Sequence, residues 1–460
     1  MNSYVKFSIQ IVWVVFIASI AISVFSQTSQ INDTISNSKT EPVARDFQFS
    51  IFPYVSINRQ TTDDVVNLSF NIFGGYVKEV RSFEIGSIVN IEHDNAGTCQ
   101  LSGICNLVGG TSNGFQGAGV FNAANSQKGV QAAGVLNLVR NDAGACQLAG
   151  VGNITEGSFQ GLQSAGVINT AKTINGVQVS GVLNIIDGDA EKCQIAGVGN
   201  FTDGNFQGLQ TAGVISVAKT VKGSQISGVL NATEKATGAQ IAGVANIVPE
   251  IKGTQIAGVI NVSDKIEGLQ LSGCVNRTSF IKGTQISVVN FSDSCVGIPI
   301  GVFSYVGNGY RTLELSVDEL LFANLAFKSG VNQFYNIFMA GIRPGNFENP
   351  IWTFGYGIGT RFGTQNNVHF DLELSAQHIS KGHVRNYLSE LCRVYFGVEK
   401  KISSWSSVSF GLSYNMYLVD TDSPYSETLS SIAPYHFFNS TSPKGYNIKT
   451  WLGGRVAFRF

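Results

Sequence analysis

Residues 223–231 read Gly-Ser-Gln-Ile-Ser-Gly-Val-Leu-Asn, residues 238–246 Gly-Ala-Gln-Ile-Ala-Gly-Val-Ala-Asn, and residues 253–261 Gly-Thr-Gln-Ile-Ala-Gly-Val-Ile-Asn. The same nine-residue core recurs outward in both directions, with copies starting at 82, 98, 114, 129, 145, 161, 176, 192, 208, 223, 238, 253, 268 and 283. Its third position is Gln in thirteen of fourteen copies, as in Gln100, Gln131, Gln178, Gln225, Gln240 and Gln255, with Glu84 the exception. Its ninth is Asn in twelve, including Asn106, Asn137, Asn184, Asn231, Asn246 and Asn261. A repeat this regular decides the architecture before any local propensity does.

Spacing between copies runs 16, 16, 15 three times over and then stays at 15, so the longer unit is 47 residues. The extra residue falls in the polar connection, as in Asp187–Glu191, where insertions cost least. Each copy fits a strand followed by a short polar turn. Recurring glycine and β-branched residues disfavour helix.

Two all-β architectures can use such a unit: a solenoid of stacked coils, or one large antiparallel meander barrel. Parity favours the solenoid. The 47-residue unit contains three copies, and duplicating an odd number of antiparallel strands would reverse the direction of everything downstream. In-register stacking also rewards identical residues, because Gln and Asn then form ladders from copy to copy. Residues 77–304 contain no Tyr and no Trp, the residues that form the interfacial girdles of a membrane barrel. Fifteen residues divide into three sides of five, with Gly253 and Gly258 at corner spacing and Ile256, Asn261 and Ile266 five apart. Such a triangular coil stacks at about 4.8 Å per rung. The meander keeps one argument: Ile256, Gly258 and Ile260 alternate with Gln255, Ala257, Val259 and Asn261.

Residues 298–460 change character. Val408, Phe410, Leu412, Tyr414, Met416 and Leu418 alternate with Ser409, Gly411, Ser413, Asn415 and Tyr417, and Val368 to Ala376 show the same period against His369, Asp371, Glu373 and Ser375. Val456, Phe458 and Phe460 alternate with Arg455, Ala457 and Arg459. Aromatic-rich segments of this length, apolar on one side and polar on the other, predict an outer-membrane-type antiparallel barrel. Residues 46–81 hold two further candidate strands, Phe47–Ile57 and Val66–Tyr76, placed to close the same barrel across the repeats. Residues 1–26 read as a signal peptide with an apolar run from Phe7 to Phe25. Residues 27–45 read as a disordered polar linker, and Asp420–Lys444 as a surface loop.

The repeats and flanks resemble the repeat-bearing surface and envelope proteins of Bacteroidota and spirochaetes, which carry tandem Gly-x-Gln-x-x-Gly-x-x-Asn units. The resemblance covers residues 65 to about 328, including Pro299–Val302 and Leu313–Leu320. It implies export and an envelope location, at the outer membrane or cell surface, and brings no activity or functional residues.

The net charge of −1, with 13% charged residues, gives no reason to seek nucleic acid. Seven cysteines suggest disulfides, but Cys99, Cys146 and Cys193 share one phase of the repeat, where other copies carry Leu, Val, Thr or Ser. They are expected as small core residues. His378 and His383 lack metal-protease spacing, Gly355–Gly359 is not a phosphate loop, and no cofactor motif occurs. His369, Asp371 and Glu373 would share one strand face, either as acid–base or pore-lining groups or as the inner face of a small barrel. The expected partners are outer-membrane lipid and a surface ligand or glycan. The sequence therefore points to a non-enzymatic, structural or adhesive envelope protein, with an outer-membrane channel or transporter as the alternative.

Overall fold

The computed structural model describes residues 42–58, 63–343, 350–363, 367–381, 388–422, 432, 435–443 and 445–460. The expected signal peptide and residues 27–41 of the expected linker lie outside the described residues, as do His383 and much of the expected 420–444 loop. The chain divides into two units, residues 1–207 and 208–460. The described residues are almost entirely strand and turn.

In the first unit, successive copies pair in parallel and in register. Glu84 stands beside Gln100, Gln100 beside Gln116, and Asn90 beside Asn106. A parallel partner obliges the chain to go once round between strands, so the repeats are coils of a solenoid and not the strands of a meander. The candidate strands of residues 46–81 belong to this stack. Strand Val43–Phe52 pairs in parallel with Asp64–Asn71, which pairs in parallel with Glu79–Gly86. They are the first coils of the solenoid, and they do not close the barrel. Val43–Arg45, expected as linker, already lies in the first strand. The short strand Val55–Ser56 folds back antiparallel on Val43–Phe52.

Inside the coils the alternation resolves by position. Gln and Asn point inward with essentially no exposure, together with a small residue at the fifth position, for example Ala165 and Ala196. A further stripe of Val80, Phe159 and Ile174 fills the remaining side. The second position faces outward. Cys99, Cys146 and Cys193 stand there as half-buried free thiols, so they line the outer wall rather than the core.

The amides form two ladders that run in opposite senses. Each Asn donates forward: Asn137 Nδ2 bonds Asn153 Oδ1 at 2.9 Å and the Leu148 carbonyl at 2.7 Å, and Asn184 bonds Asn200 at 2.9 Å. Asn106 likewise bonds Asn122 at 2.9 Å. Each Gln donates backward: Gln131 Nε2 to Gln116 Oε1 at 2.7 Å, and Gln178 to Gln163 at 2.8 Å. Gln100 donates to Glu84 Oε2 at 3.0 Å. The amides thus satisfy each other inside the stack, which is the condition for burying them.

The second unit repeats the arrangement. Gln240 donates to Gln225 at 2.8 Å and Gln255 to Gln240 at 3.2 Å, while Asn231 donates to Asn246 and Asn246 to Asn261, both at 2.9 Å. Asn261 continues the ladder to Asn276 at 3.0 Å. Gly253 has a φ of 137°, and a Cβ at Gly258 would lie 2.1 Å from the Gly243 carbonyl oxygen, so both corners need glycine. Of the three residues five apart, Asn261 and Ile266 are buried and Ile256 faces out. A one-residue deletion near 288 leaves Asn290 in the ladder, bonded by Asn276 at 3.2 Å. The parallel pairing continues to Phe303–Val306, beyond the expected boundary at 297.

Tyr310 begins a closed antiparallel barrel of eight strands: Tyr310–Asp318, Ala323–Val331, Phe334–Arg343, Ile351–Phe362, Val368–Lys381, Ser389–Lys401, Ser407–Asp420 and Tyr446–Arg459. Each pairs with the next, and closure comes from Glu314 opposite Arg459 through Asp318 opposite Arg455. Phe438–Thr441, inside the expected surface loop, is a strand that pairs on Tyr446–Arg459.

The Asn ladder is interrupted within the second unit. Ser216 takes the Asn position, and Asn231 Oδ1 is left without a donor. Ser216→Asn should raise stability by about 1 kcal/mol by supplying that donor. Asn246→Ala should lower it by about 2–4 kcal/mol, because the Ile256 carbonyl and Asn261 Oδ1 lose their shared donor. Denaturant midpoints of the two variants check both signs.

Candidate functional site

The barrel strands place alternate side chains inside and outside. The expected parity holds: Phe370, Leu372, Leu374, Phe410, Leu412, Val456 and Phe458 are exposed on the outer wall, and Asp371, Glu373, Ser409, Ser413, Arg455 and Arg459 are buried inside. The barrel is therefore inverted relative to a water-soluble one, with charge within and hydrocarbon without.

Four cations and four anions meet in the interior: Lys328, Arg361, Arg455 and Arg459 with Glu314, Asp371, Glu373 and Glu399. Lys328 Nζ lies 2.6 Å from Glu314 and 2.5 Å from Glu373. Arg455 reaches Glu373 at 2.5 Å, and Arg361 Nε reaches Asp371 at 2.9 Å. Arg459, on the closing strand, bonds Glu314 at 2.6 Å and also contacts Asp371 and Glu399. Arg361 also bonds Glu399. Tyr rings line the network: Arg361 lies over Tyr310 at 4.0 Å and Arg455 over Tyr395 at 3.6 Å, with Tyr335 donating to Glu373 at 3.0 Å. Equal numbers of each sign, each with close partners, allow the charges to be buried at all.

A second cluster sits at the Asp318–Leu321 turn. Asp318 pairs with Arg393 at 2.8 Å, and Glu319 accepts from Asn415 at 2.9 Å and Trp451 at 2.8 Å. The turn carries Leu320 and Leu321 against Ile379, Leu391, Tyr417, Val419 and Trp451. An ion network and an apolar cluster thus fill the interior between them.

Of the residues singled out in the sequence, Asp371 and Glu373 are brought together in the network. His369 stands beside them on the same strand, with its Nδ1 buried and without a hydrogen-bond partner. His378 pairs instead with Glu390 at 2.8 Å. The cation partners were not singled out as a site, though the alternation of Arg455 and Arg459 with Val456 and Phe458 already put them on the inner face. Which carboxylates they would meet, on strands 82 to 145 residues away, has no local signal.

The solenoid holds a third cluster, marked in the sequence only by Glu84 in a Gln position. Glu84 sits in the Gln ladder and accepts from Ser69 at 3.1 Å, Asn71 at 2.8 Å and Gln100 at 3.0 Å. Glu92 follows it by eight residues, the spacing at which Thr155 bonds Gln147 at 3.1 Å and Thr202 bonds Gln194 at 3.0 Å. Burial, and next the charge of Glu84, pushes the Glu92 carboxyl well above the usual carboxylate range.

Comparison with known proteins gives no matching family model, no matching curated protein and no matching solved structure.

Two outcomes follow. Arg459→Met should cost about 3–5 kcal/mol, because it takes a shared cation from three buried carboxylates, and Arg459→Lys should recover part of the loss. Urea unfolding measures both. For Glu92, a raised folded pKa means its stabilisation is complete below the unfolded value of 4.5 and is lost as pH rises through the folded value. Each pH unit in that window costs up to about 1.4 kcal/mol. Glu92→Gln should therefore protect the coils around residues 64–108 above that window and not below pH 4.5, read by native-state hydrogen exchange.

Proposed function

We propose that the chain is a non-enzymatic envelope protein, held in the outer membrane by its eight-stranded barrel and presenting the solenoid as a structural or adhesive element. The observation that carries this reading is the inverted barrel. A closed sheet with an apolar, aromatic outer wall and an ion-paired interior satisfies every backbone group internally and meets lipid with hydrocarbon. In water the same barrel would expose Phe354, Phe396, Phe410 and Leu412 together.

The filled interior disfavours the channel reading. An eight-stranded barrel is just wide enough for side chains, and here they occupy it. Asp371 and Glu373, the candidates for acid–base chemistry, are each held by cations and enclosed. The amide ladders point inward, so any surface ligand or glycan would meet the outer residues of the coils rather than Gln and Asn.

Protease added to intact cells should clip the chain if the solenoid is displayed; complete protection would overturn the adhesive role. The purified chain in planar bilayers should give no stepwise conductance, and a steady open channel would restore the transport reading.

A further inference from the structure

In the second unit, two sides of most coils meet at a Gly–Val corner, with Gly273–Cys274 and Ser287–Val288 the exceptions. Val214, Val229, Val244, Val259, Val288 and Val302 stand at successive corners, each 41–53% exposed. Cys274 fills the one remaining place and is also exposed. Aliphatic residues flank the corner on both sides, as Ile226 before and Leu230 after Val229, or Ile256 before and Ile260 after Val259. No charged residue interrupts this ridge from Ala212 to Phe303 at the fourth to eighth positions of the coils. Seven coils at about 4.8 Å make it about 30 Å long. Charges are concentrated on another side of the prism, where Lys235 pairs with Glu250 at 2.9 Å and Lys252 with Glu267 at 3.8 Å.

The ridge ends against the outer wall of the barrel. The Gly301 carbonyl, just before Val302, accepts from Asn336 Nδ2 at 2.7 Å and from Tyr356 OH at 3.2 Å. Phe303 packs on Phe338 at 5.9 Å, and Phe338 on Tyr356 at 5.5 Å. Ser329 on the neighbouring strand donates to the Ser304 carbonyl at 2.7 Å. Asn336, Phe338 and Tyr356 all project from the outside of the barrel. The apolar corner is thus continuous, through Phe303, with the surface that faces lipid in the proposed function.

We infer that this Val ridge is itself a lipid-contacting surface: the second unit's solenoid lies with its apolar corner in the interfacial region of the bilayer that holds the barrel, and its charged side in water. The inference rests on the membrane reading of the barrel. Continuity with the barrel wall names the occupant as acyl chains rather than a second copy. A convex edge of branched side chains is also a poor self-complementary interface, whereas a fluid hydrocarbon surface adapts to it.

The test places photoreactive benzoylphenylalanine singly at Val244 on the ridge, at Thr237 on the charged side, and at Leu412 on the barrel wall. The full chain is reconstituted in vesicles of phosphatidylethanolamine and phosphatidylglycerol and irradiated. All three positions are exposed, so the substitutions leave the core intact. Lipid adducts should form at 244 about as well as at 412, and at least about threefold above 237. Adducts at 412 with none above the 237 level at 244 overturn the ridge proposal and leave the barrel reading standing. No adduct at 412 overturns the barrel reading and the ridge with it. A chain-to-chain cross-link as the main product at 244 overturns lipid as the occupant in favour of a second copy.

Discussion

A primary amide buried inside a narrow coil has nowhere to find partners except one rung up and one rung down. That constraint organises the solenoid. Asn246 can be fully buried only because Asn231, Asn261 and the Ile256 carbonyl stand at the spacing of stacked strands. A register slip of one residue would turn every amide outward and bring Ile256 and its equivalents inside. The ladders therefore specify register more strongly than an apolar core would, because a misplaced amide loses several bonds together. Their opposite senses add a second effect: the Asn and Gln amide dipoles point in opposing directions along the stack and largely cancel. Glu84 fits the same logic, since a carboxylate at the head of the Gln ladder needs only donors, and Gln100 supplies one.

The barrel buries polar groups by a different device. Its interior holds full charges rather than neutral amides, and the energy of each ion depends on several partners from distant strands. Arg459 joins carboxylates from the first, fifth and sixth strands, so closing the sheet and completing the network are one event. A barrel left open at that seam would part Glu314 from both Arg455 and Arg459. The pairing of Glu314 with Arg459 both across the seam and through side chains ties register to charge.

Much of this was legible in the residues. The 47-residue parent of three copies favours parallel over antiparallel pairing by parity, and the constant Gln and Asn mark the ladders. The inner and outer faces of Val408–Leu418 and Arg455–Phe460 follow from alternation. Residues 46–81 misled because Phe47, Phe49 and Phe70 imitate a membrane strand. In the fold Phe47 and Phe70 pack, tilted, on the outer wall of the first coils at 5.5 Å, while the Gln position, filled by Gln48, is too isolated to be seen as a repeat. The cysteines misled because a small residue at a constant phase looks like core, when the polar Gln beside it takes the inside. The ion network could not be read at all, since sequence gives the face of a strand but not its distant neighbours around a barrel.

Both halves of the chain place polar groups inside and aliphatic groups outside, but for different reasons. In the barrel the outer hydrocarbon answers to lipid under the proposed function. Within the solenoid strands, outward Ile and Val are explained by strand preference and by packing on the same residue one rung away. That account does not extend to the corner. A turn between two strands ordinarily takes Gly, Asn, Asp or Ser, residues that suit the backbone and water. Glycine is present there, and the residue after it is Val at corner after corner, where neither strand preference nor the interior asks for one. Val214, Val229, Val244 and Val259 thus keep an exposed hydrocarbon edge through coils that share little at their polar connections. The proposed lipid contact supplies a constraint on that position from outside the coil, and within the described residues the ridge runs into the apolar wall of the barrel.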